Sequence, residues 1–268
     1  MAEHIDSDRD AVLARLRDAP CVFCGVDYDG TLAPIAATPA EAQPYPGTLS
    51  LLQRLAAAAH VHVAIVTGRA IADVRAFLDV PQAYYVGIHG LELKRPGEAV
   101  DFSAAGRRAR ALQPAVSARL HTELGDLPGL LIEEKGAALA LHYRLATPAD
   151  AARGRAVIEA AVHELLNRGE PLDLLEGHEV IEVRPQGIDK GRALCELLAR
   201  DAPAALVLYI GDDQTDEDAF RALPASALTI RVGPADVDTA ATYRLNDPAE
   251  VHAFLRTIAD LNDAPTRD

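Results

Sequence analysis

The chain of 268 residues carries 26 basic against 40 acidic side chains, a formal charge of −14, and 49% of its residues are hydrophobic. That allows a sizeable core in one large domain or two modest ones, and the acidic excess argues against a general role on nucleic acid or anionic membrane. No stretch approaches the ~20 uncharged apolar residues of a membrane helix, and Asp6, Asp8, Asp10 and Asp18 stand where a signal peptide needs an apolar run, so the expectation is a soluble, cytoplasmic protein.

In chain order, residues 8–19 read as a surface helix and 21–26 as a short buried strand. Cys21 and Cys24 fall in that strand on opposite faces, and with one further cysteine they form no disulfide framework. A helix over 48–59, a strand over 62–67, a helix over 71–78 and a strand over 84–88 follow. His60 and His62 flank a strand start with no third ligand nearby and read as structural.

Between residues 103 and 185 the grammar changes. A helix over 104–124 precedes two alternating segments, 130–134 and 138–144, joined at Lys135-Gly136. A helix over 148–168 and a second hairpin, 172–176 and 179–183, with its turn at Gly177-His178, repeat the order. Beyond it the β/α alternation returns: helix 190–199, strand 206–210, helix 216–223, strand 229–232 and a closing helix over 249–259. The expected fold class is α/β, a parallel sheet with helices on both faces, carrying an inserted α+β domain of two α-β-β units. Its expected boundaries are 1–102 and 186–268 for the main domain and 103–185 for the insertion.

Several strand ends carry chemistry. Asp27-Tyr28-Asp29-Gly30-Thr31-Leu32 follows the first long strand, Thr67-Gly68-Arg69 the next, and Gly211-Asp212-Asp213-Gln214-Thr215-Asp216-Glu217-Asp218 a later one, with Lys190-Gly191 opening a helix. In a parallel sheet the carboxyl ends of the strands are where ligands bind. Taken singly, these features read as a polar turn, a helix cap, a solvated lysine and an acidic helix start. Together, carboxylates converging on strand ends repel one another unless a cation lies between them, and a hard divalent ion is the simplest resolution.

The order of these motifs resembles the four signatures of the haloacid dehalogenase superfamily. The resemblance implies Asp27 as a nucleophile, Asp29 as a general acid and then base, and Thr67 and Lys190 as ligands of the phosphate oxygens. It implies Mg²⁺ on the carboxylates of Asp27 and Asp212 and the carbonyl of Asp29, with Asp213 and Asp216 orienting these groups and Glu217 and Asp218 on a helix face. An insertion between the second and third motifs then acts as a cap that closes over the site and excludes water.

A narrower resemblance, over about residues 20–250, is to the trehalose-6-phosphate phosphatases. It rests on Gly87-Ile88-His89-Gly90-Leu91-Glu92, Glu133-Glu134-Lys135-Gly136, Leu141-His142-Tyr143-Arg144 and Val180-Ile181-Glu182-Val183-Arg184-Pro185. It implies a sugar phosphate as substrate, a functional link to a trehalose-phosphate synthase, and substrate contacts from Tyr28, Gly68, Arg69, His89, Glu133, Lys135, His142, Arg144, Glu182 and Arg184. The alternation independently puts Glu133 and Lys135 on one strand face, His142 with Arg144 on another, and Glu182 with Arg184 on a third. Cross-strand ion pairing of a solvated hairpin is the plainer reading of these charges. Phosphatases of mannosyl-3-phosphoglycerate or sucrose phosphate, and a catalytically silent sugar-phosphate-binding domain, are the alternatives.

Overall fold

The computed structural model describes residues 2–36, 38–177 and 179–263. It falls into two compact units, one formed by Met1–Asp101 with Asp189–Asp268 and one by Phe102–Ile188. In chain order the first stretch is β1 (Glu3–His4), α1 (Arg9–Asp18), β2 (Val22–Val26), α2 (Thr48–Ala57), β3 (Val61–Val66), α3 (Ile71–Phe77), β4 (Tyr84–Gly87), β5 (Glu92–Lys94) and β6 (Asp101–Phe102). The insertion comprises α4 (Ala104–Leu124), β7 (Leu131–Glu134), β8 (Leu139–His142), α5 (Pro148–Asn167), β9 (Leu172–Gly177) and β10 (Val180–Pro185). The chain then resumes with α6 (Lys190–Asp201), β11 (Leu206–Gly211), α7 (Gln214–Ala222), β12 (Leu228–Val232), β13 (Tyr243–Leu245) and α8 (Pro248–Asp263).

The large sheet has the order β1-β13-β12-β11-β2-β3-β4-β5-β6, parallel from β1 to β4 and antiparallel between β4 and β5. From β2 the chain steps outward through β3 and β4, then returns to the other side of β2 through β11, β12 and β13. The strand order therefore reverses between β2 and β11, which opens a crevice at their carboxyl ends. Short apolar runs suit these strands because a parallel sheet is buried on both faces. Cys24, Val26, Ile65 and Ile210 pack with α1, α2, α3 and α8 on one side, while Phe23, Ala64, Val66 and Tyr209 pack with α6 and α7 on the other. Cys24 and Cys21 are unbridged thiols, and Cys24 lies inside the first of these clusters.

In the second unit the strands run β7-β8-β10-β9, all antiparallel, with α4 and α5 on one face. Each helix starts where the sequence caps it: Ser103 accepts from the amide of Gly106, and Thr147 accepts from that of Asp150 with Pro148 at the first helical position. Leu139, Leu141, Ile181 and Val183 alternate inward against Leu120 and Ile158. The intervening residues face away from the helices, and register aligns Glu133, Ala140, Glu182 and Leu175 in one row across the four strands. The turn expected at Gly177-His178 includes residue 178, which lies outside the described residues.

The two long α-β-β repeats and the main alternation match the sequence reading. Strands β1, β5, β6 and β13 are additions of two or three residues at the sheet's margins. Among the described residues no helix is long and apolar enough to cross a membrane.

Candidate active site

The crevice between β2 and β11 collects the acids. Asp27 follows β2 directly and its amide donates to the Ile210 carbonyl of β11 at 2.9 Å, so the ladder carries it to the point where the strand order reverses. Asp212 follows β11, and its Oδ1 accepts from the Thr31 hydroxyl at 3.0 Å. Gly30 allows this approach: it has φ +76°, and a Cβ there would lie 2.0 Å from Asp212 Oδ2. Gly211 does the same for Asp216, whose Cγ would lie 2.2 Å from an added Cβ.

Lys190 is the first residue of α6, with Asp189 at the N-cap accepting from the amide of Arg192. Its side chain is 2% exposed, and Nζ lies 3.0 Å from Asp27 Oδ1 and 2.8 Å from Asp216 Oδ1. Asp216 Oδ1 also accepts from the Tyr209 hydroxyl at 2.6 Å, while Oδ2 accepts from the amides of Asp212 and Asp213 at 3.1 and 3.0 Å. Asp213 is the N-cap of α7.

Burial, reinforced by repulsion from Asp216, pushes Asp27 well above the ordinary carboxylate range, against the pull of Lys190. Burial and Asp216 likewise push Asp212 up to about 7. Burial alone would lower Lys190, but Asp216 and Asp27 outweigh it and hold the ammonium above the usual lysine value. Tyr209 rises well above the usual phenol value through burial and then Asp216, as expected of a hydroxyl that donates to a carboxylate.

Carboxylate oxygens of Asp27, Asp212 and Asp216 lie within 4.8 Å of one another. Two buried carboxylates, Asp27 and Asp216, and the partly buried Asp212 against one ammonium leave negative charge that a hard divalent cation with oxygen ligands would neutralise, so the donor set fits Mg²⁺. The three are not equivalent. Both Asp216 oxygens accept two hydrogen bonds each, which uses the carboxylate's lone pairs and makes it a positioning group. Asp27 and Asp212 retain capacity for the ion.

Asp29 departs from this cluster. Its carboxylate is gripped by Arg69, with Nε donating to Oδ2 at 2.7 Å and Nη2 to Oδ1 at 2.6 Å. Arg69 lies over the Tyr28 ring, 4.9 Å from its centroid. Tyr28 is wholly buried and donates to the Ala42 carbonyl at 2.6 Å, so its side chain is a support for Arg69 and not a ring offered to a sugar. Thr67, 1% exposed, accepts from the Arg69 amide at 3.1 Å, and its own carbonyl receives the His89 amide at 3.1 Å.

The segment after β4 clamps this loop. Ile88 and His89 both take left-handed backbone, φ 46° and 55°, a conformation non-glycine residues adopt at the cost of strain. His89 lies against Gly68, where an added Cβ would be 2.8 Å from the ring. Glu92 Oε2 accepts from the Ile71 amide at 2.7 Å, satisfying the start of α3.

In the second unit, Glu133, Lys135, His142 and Glu182 form a network. Lys135 Nζ is 2.8 Å from Glu182 Oε2 and 3.8 Å from Glu133 Oε2, which also meets His142 Nε2 at 2.8 Å. Glu182 is 7% exposed, and its Oε1, like Arg184 Nε, is buried with no hydrogen-bond partner among the described residues. Arg144 pairs with Glu179 at the surface. His60 meets Asn262, and His62 lies edge-on to Tyr84.

Four residues with structural work at the site escaped the sequence reading as candidates: Thr31, Tyr209, Glu92 and Glu217. Glu217 lies on α7 as expected, on a buried face: it is 2% exposed and accepts from Thr239 Oγ1 at 2.6 Å, the Ala240 amide at 2.8 Å and Arg231 Nη1 at 3.3 Å, tying the β12–β13 loop to α7. A signal for Tyr209 exists in Gly25, a glycine inside a strand, where a Cβ would meet the Tyr209 ring at 2.8 Å.

The chain is 38% identical over 252 residues to a trehalose-phosphate phosphatase of Mycobacterium avium, covering 90% of this chain and 62% of that protein. It is 37% identical over 267 residues to the one of Mycobacterium tuberculosis, covering 96% and 65%. The chain thus spans less than two thirds of the length of these relatives. A crystal structure of Aspergillus fumigatus trehalose-6-phosphate phosphatase superposes with a TM-score of 0.71 at 29% identity, covering 97% of this chain and 99% of that one. The fold is of the haloacid dehalogenase type with an inserted α+β module. The sequence model of the trehalose-phosphatase family matches residues 25–249, which span the acid cluster, the Arg69 loop and the whole insertion. The chain belongs to the trehalose-phosphatase family.

Proposed function

We propose that the protein is a Mg²⁺-dependent phosphatase that hydrolyses trehalose 6-phosphate through a phosphoaspartate on Asp27. The observation that carries this reading is the cluster of Asp27, Asp212, Asp216 and Lys190 at the reversal of strand order, in which all but the partly buried Asp212 are buried. Family membership supports the choice of substrate.

Asp27 attacks phosphorus in line as the bond to the sugar oxygen breaks, and Asp29 gives that oxygen its proton. Asp29 then takes a proton from water as the water oxygen attacks phosphorus, which breaks the acyl phosphate and restores the Asp27 carboxylate. Lys190, fixed between Asp27 and Asp216, sets the nucleophile and meets phosphate charge. Thr67 accepts from the Arg69 amide, which directs its own O–H to a phosphate oxygen. The Asp27 and Asp212 carboxylates with the Asp29 carbonyl would hold Mg²⁺, which supplies charge to offset that of the phosphate. Asp213 caps α7, so Asp216 keeps its place.

The face of the second unit that carries Glu133, Lys135, His142 and Glu182 suits a sugar, since hydroxyls need both acceptors and donors. The unpaired, buried Oε1 of Glu182 is an acceptor suited to such a hydroxyl. Gly68 and His89 shape the phosphate loop, and Arg184 contributes a further donor.

A phosphate-release screen with Mg²⁺ over a sugar-phosphate panel tests the reading. Release from trehalose 6-phosphate well above that from mannosyl-3-phosphoglycerate and sucrose phosphate, abolished by chelator and restored by Mg²⁺, is the expected result. A flat profile contradicts the substrate, and turnover that survives chelation contradicts the metal.

A further inference from the structure

Asp29 is the residue assigned to carry protons, yet its carboxylate stands apart from the cluster of Asp27, Asp212 and Asp216. One guanidinium takes both of its oxygens, at 2.6 and 2.7 Å. That guanidinium is itself fixed from several directions. It lies 4.9 Å from the Tyr28 centroid and 5.8 Å from that of Phe77 on α3. The Arg69 main chain is tied at both ends, its amide to Thr67 Oγ1 at 3.1 Å and its carbonyl to the Ile88 amide at 2.9 Å. The side chain of Arg69 is only 11% exposed, whereas that of Asp29 is 38% exposed.

Two parallel hydrogen bonds fix both the plane and the rotamer of a carboxylate, which a lysine point charge cannot do. From this geometry we infer that Arg69 is a positioning residue that sets the direction from which Asp29 reaches the reacting oxygen, and is not a phosphate ligand. The inference rests on the proton-transfer reading of Asp29. In each cycle Asp29 donates one proton to the departing sugar oxygen and accepts one from water. A carboxylate held on both oxygens does this by opening one arm of the fork while the other arm keeps the side chain in place. The family reading placed Arg69 among substrate contacts; here its guanidinium is engaged with Asp29.

A double-mutant cycle tests this, with Arg69→Gln and Arg69→Lys each made in the unaltered protein and in Asp29→Ala, and kcat and KM read on trehalose 6-phosphate and on an aryl phosphate. With Asp29 present, both substitutions should lower kcat on the sugar phosphate by about 10-fold or more with KM little changed, a part of the ~10²–10⁴-fold that a positioned general acid contributes. Lysine should not rescue. The aryl phosphate, whose leaving group needs little protonation, should lose less, which also shows that the variants fold. In the Asp29→Ala protein the same substitutions should change kcat by no more than about 2-fold, the scatter of independent sites.

A raised KM with kcat retained would make Arg69 a phosphate ligand. An equal loss in both backgrounds, or full rescue by lysine, would equally overturn the inference. Failure of the underlying reading has a separate signature: Asp29→Ala alone would then impair the sugar and aryl phosphates equally, whatever the cycle gives.

Discussion

The core crevice and the polar face of the inserted unit both gather charged side chains, but they hold them differently. In the crevice, Lys190 and Asp216 have side-chain exposures of 2% and 0%, and Asp216 accepts from Tyr209, Lys190 and two amides. In the insertion, Glu133 and His142 are about one third exposed, at 36% and 34%, and bond to each other. A buried carboxylate that accepts on all its lone pairs, as Asp216 does, is rigid and pre-organised, whereas partly exposed pairs exchange partners at little cost. On the proposed mechanism this difference would separate two tasks: bond-breaking groups fixed before substrate arrives, and recognition groups that hold one another until hydroxyls replace them.

The largest expected effect is at the nucleophile. Asp27→Asn should lower turnover of every phosphate ester by several orders of magnitude, up to roughly 10⁶-fold, the scale of deleting a covalent nucleophile. Steady-state phosphate release reads it, and near-native turnover would rule out covalent chemistry at this position.

Stability should show the same contrast. Lys190→Met leaves two buried carboxylates without their cation and should cost the metal-free protein about 3–5 kcal/mol in denaturant unfolding. A cost below about 1 kcal/mol would mean the crevice tolerates unpaired charge and is not the rigid assembly described.

On the polar face the effect should be smaller and substrate-dependent. Glu133→Ala or Lys135→Ala should lower kcat/KM for trehalose 6-phosphate by the ~1.5–3 kcal/mol of a hydrogen bond to a charged group, roughly 10-fold to more than 100-fold. An aryl phosphate lacks the second sugar and should be turned over almost as before. Equal losses on both substrates in a folded variant, or no loss on either, would return these charges to an ordinary hairpin surface.

The smallest effect is expected at Arg144, whose pairing with Glu179 is about half exposed on both sides. Arg144→Ala should change stability by no more than ~1 kcal/mol, as surface ion pairs do. A larger change measured by thermal unfolding would erase the distinction drawn between the two regions.

What the sequence disclosed follows from the range of the interactions. Asp27, Thr67, Lys190 and Asp212 each sit at the end of a regular element, so local periodicity located them. Strand alternation put Glu133 and Lys135 on one face, while their grouping with Glu182 and His142 depends on the register of β7, β8 and β10. The partners were not, because Arg69 meets Asp29 from 40 residues away and Tyr209 reaches Asp216 only through the β11–α7 turn. Glu217 reads in the sequence as part of an acidic helix start, and only the return of Thr239 and Ala240 to α7 shows why that carboxylate is buried. Strand β1 is two residues long and exists because Glu3 and His4 meet Tyr243 and Arg244 at the far end of the chain. No local pattern announces such a pairing.

On the proposed mechanism the crevice fixes Asp27 as a covalent nucleophile. This is tested most directly by rapid acid quench of the protein during turnover of trehalose 6-phosphate with Mg²⁺, followed by mass spectrometry of the peptide that contains residue 27. The expected result is a phosphoryl group on Asp27 that disappears on chelation and in the Asp27→Asn protein. Steady turnover that goes on in the Asp27→Asn protein, or a phosphoryl group carried on another residue, would contradict it.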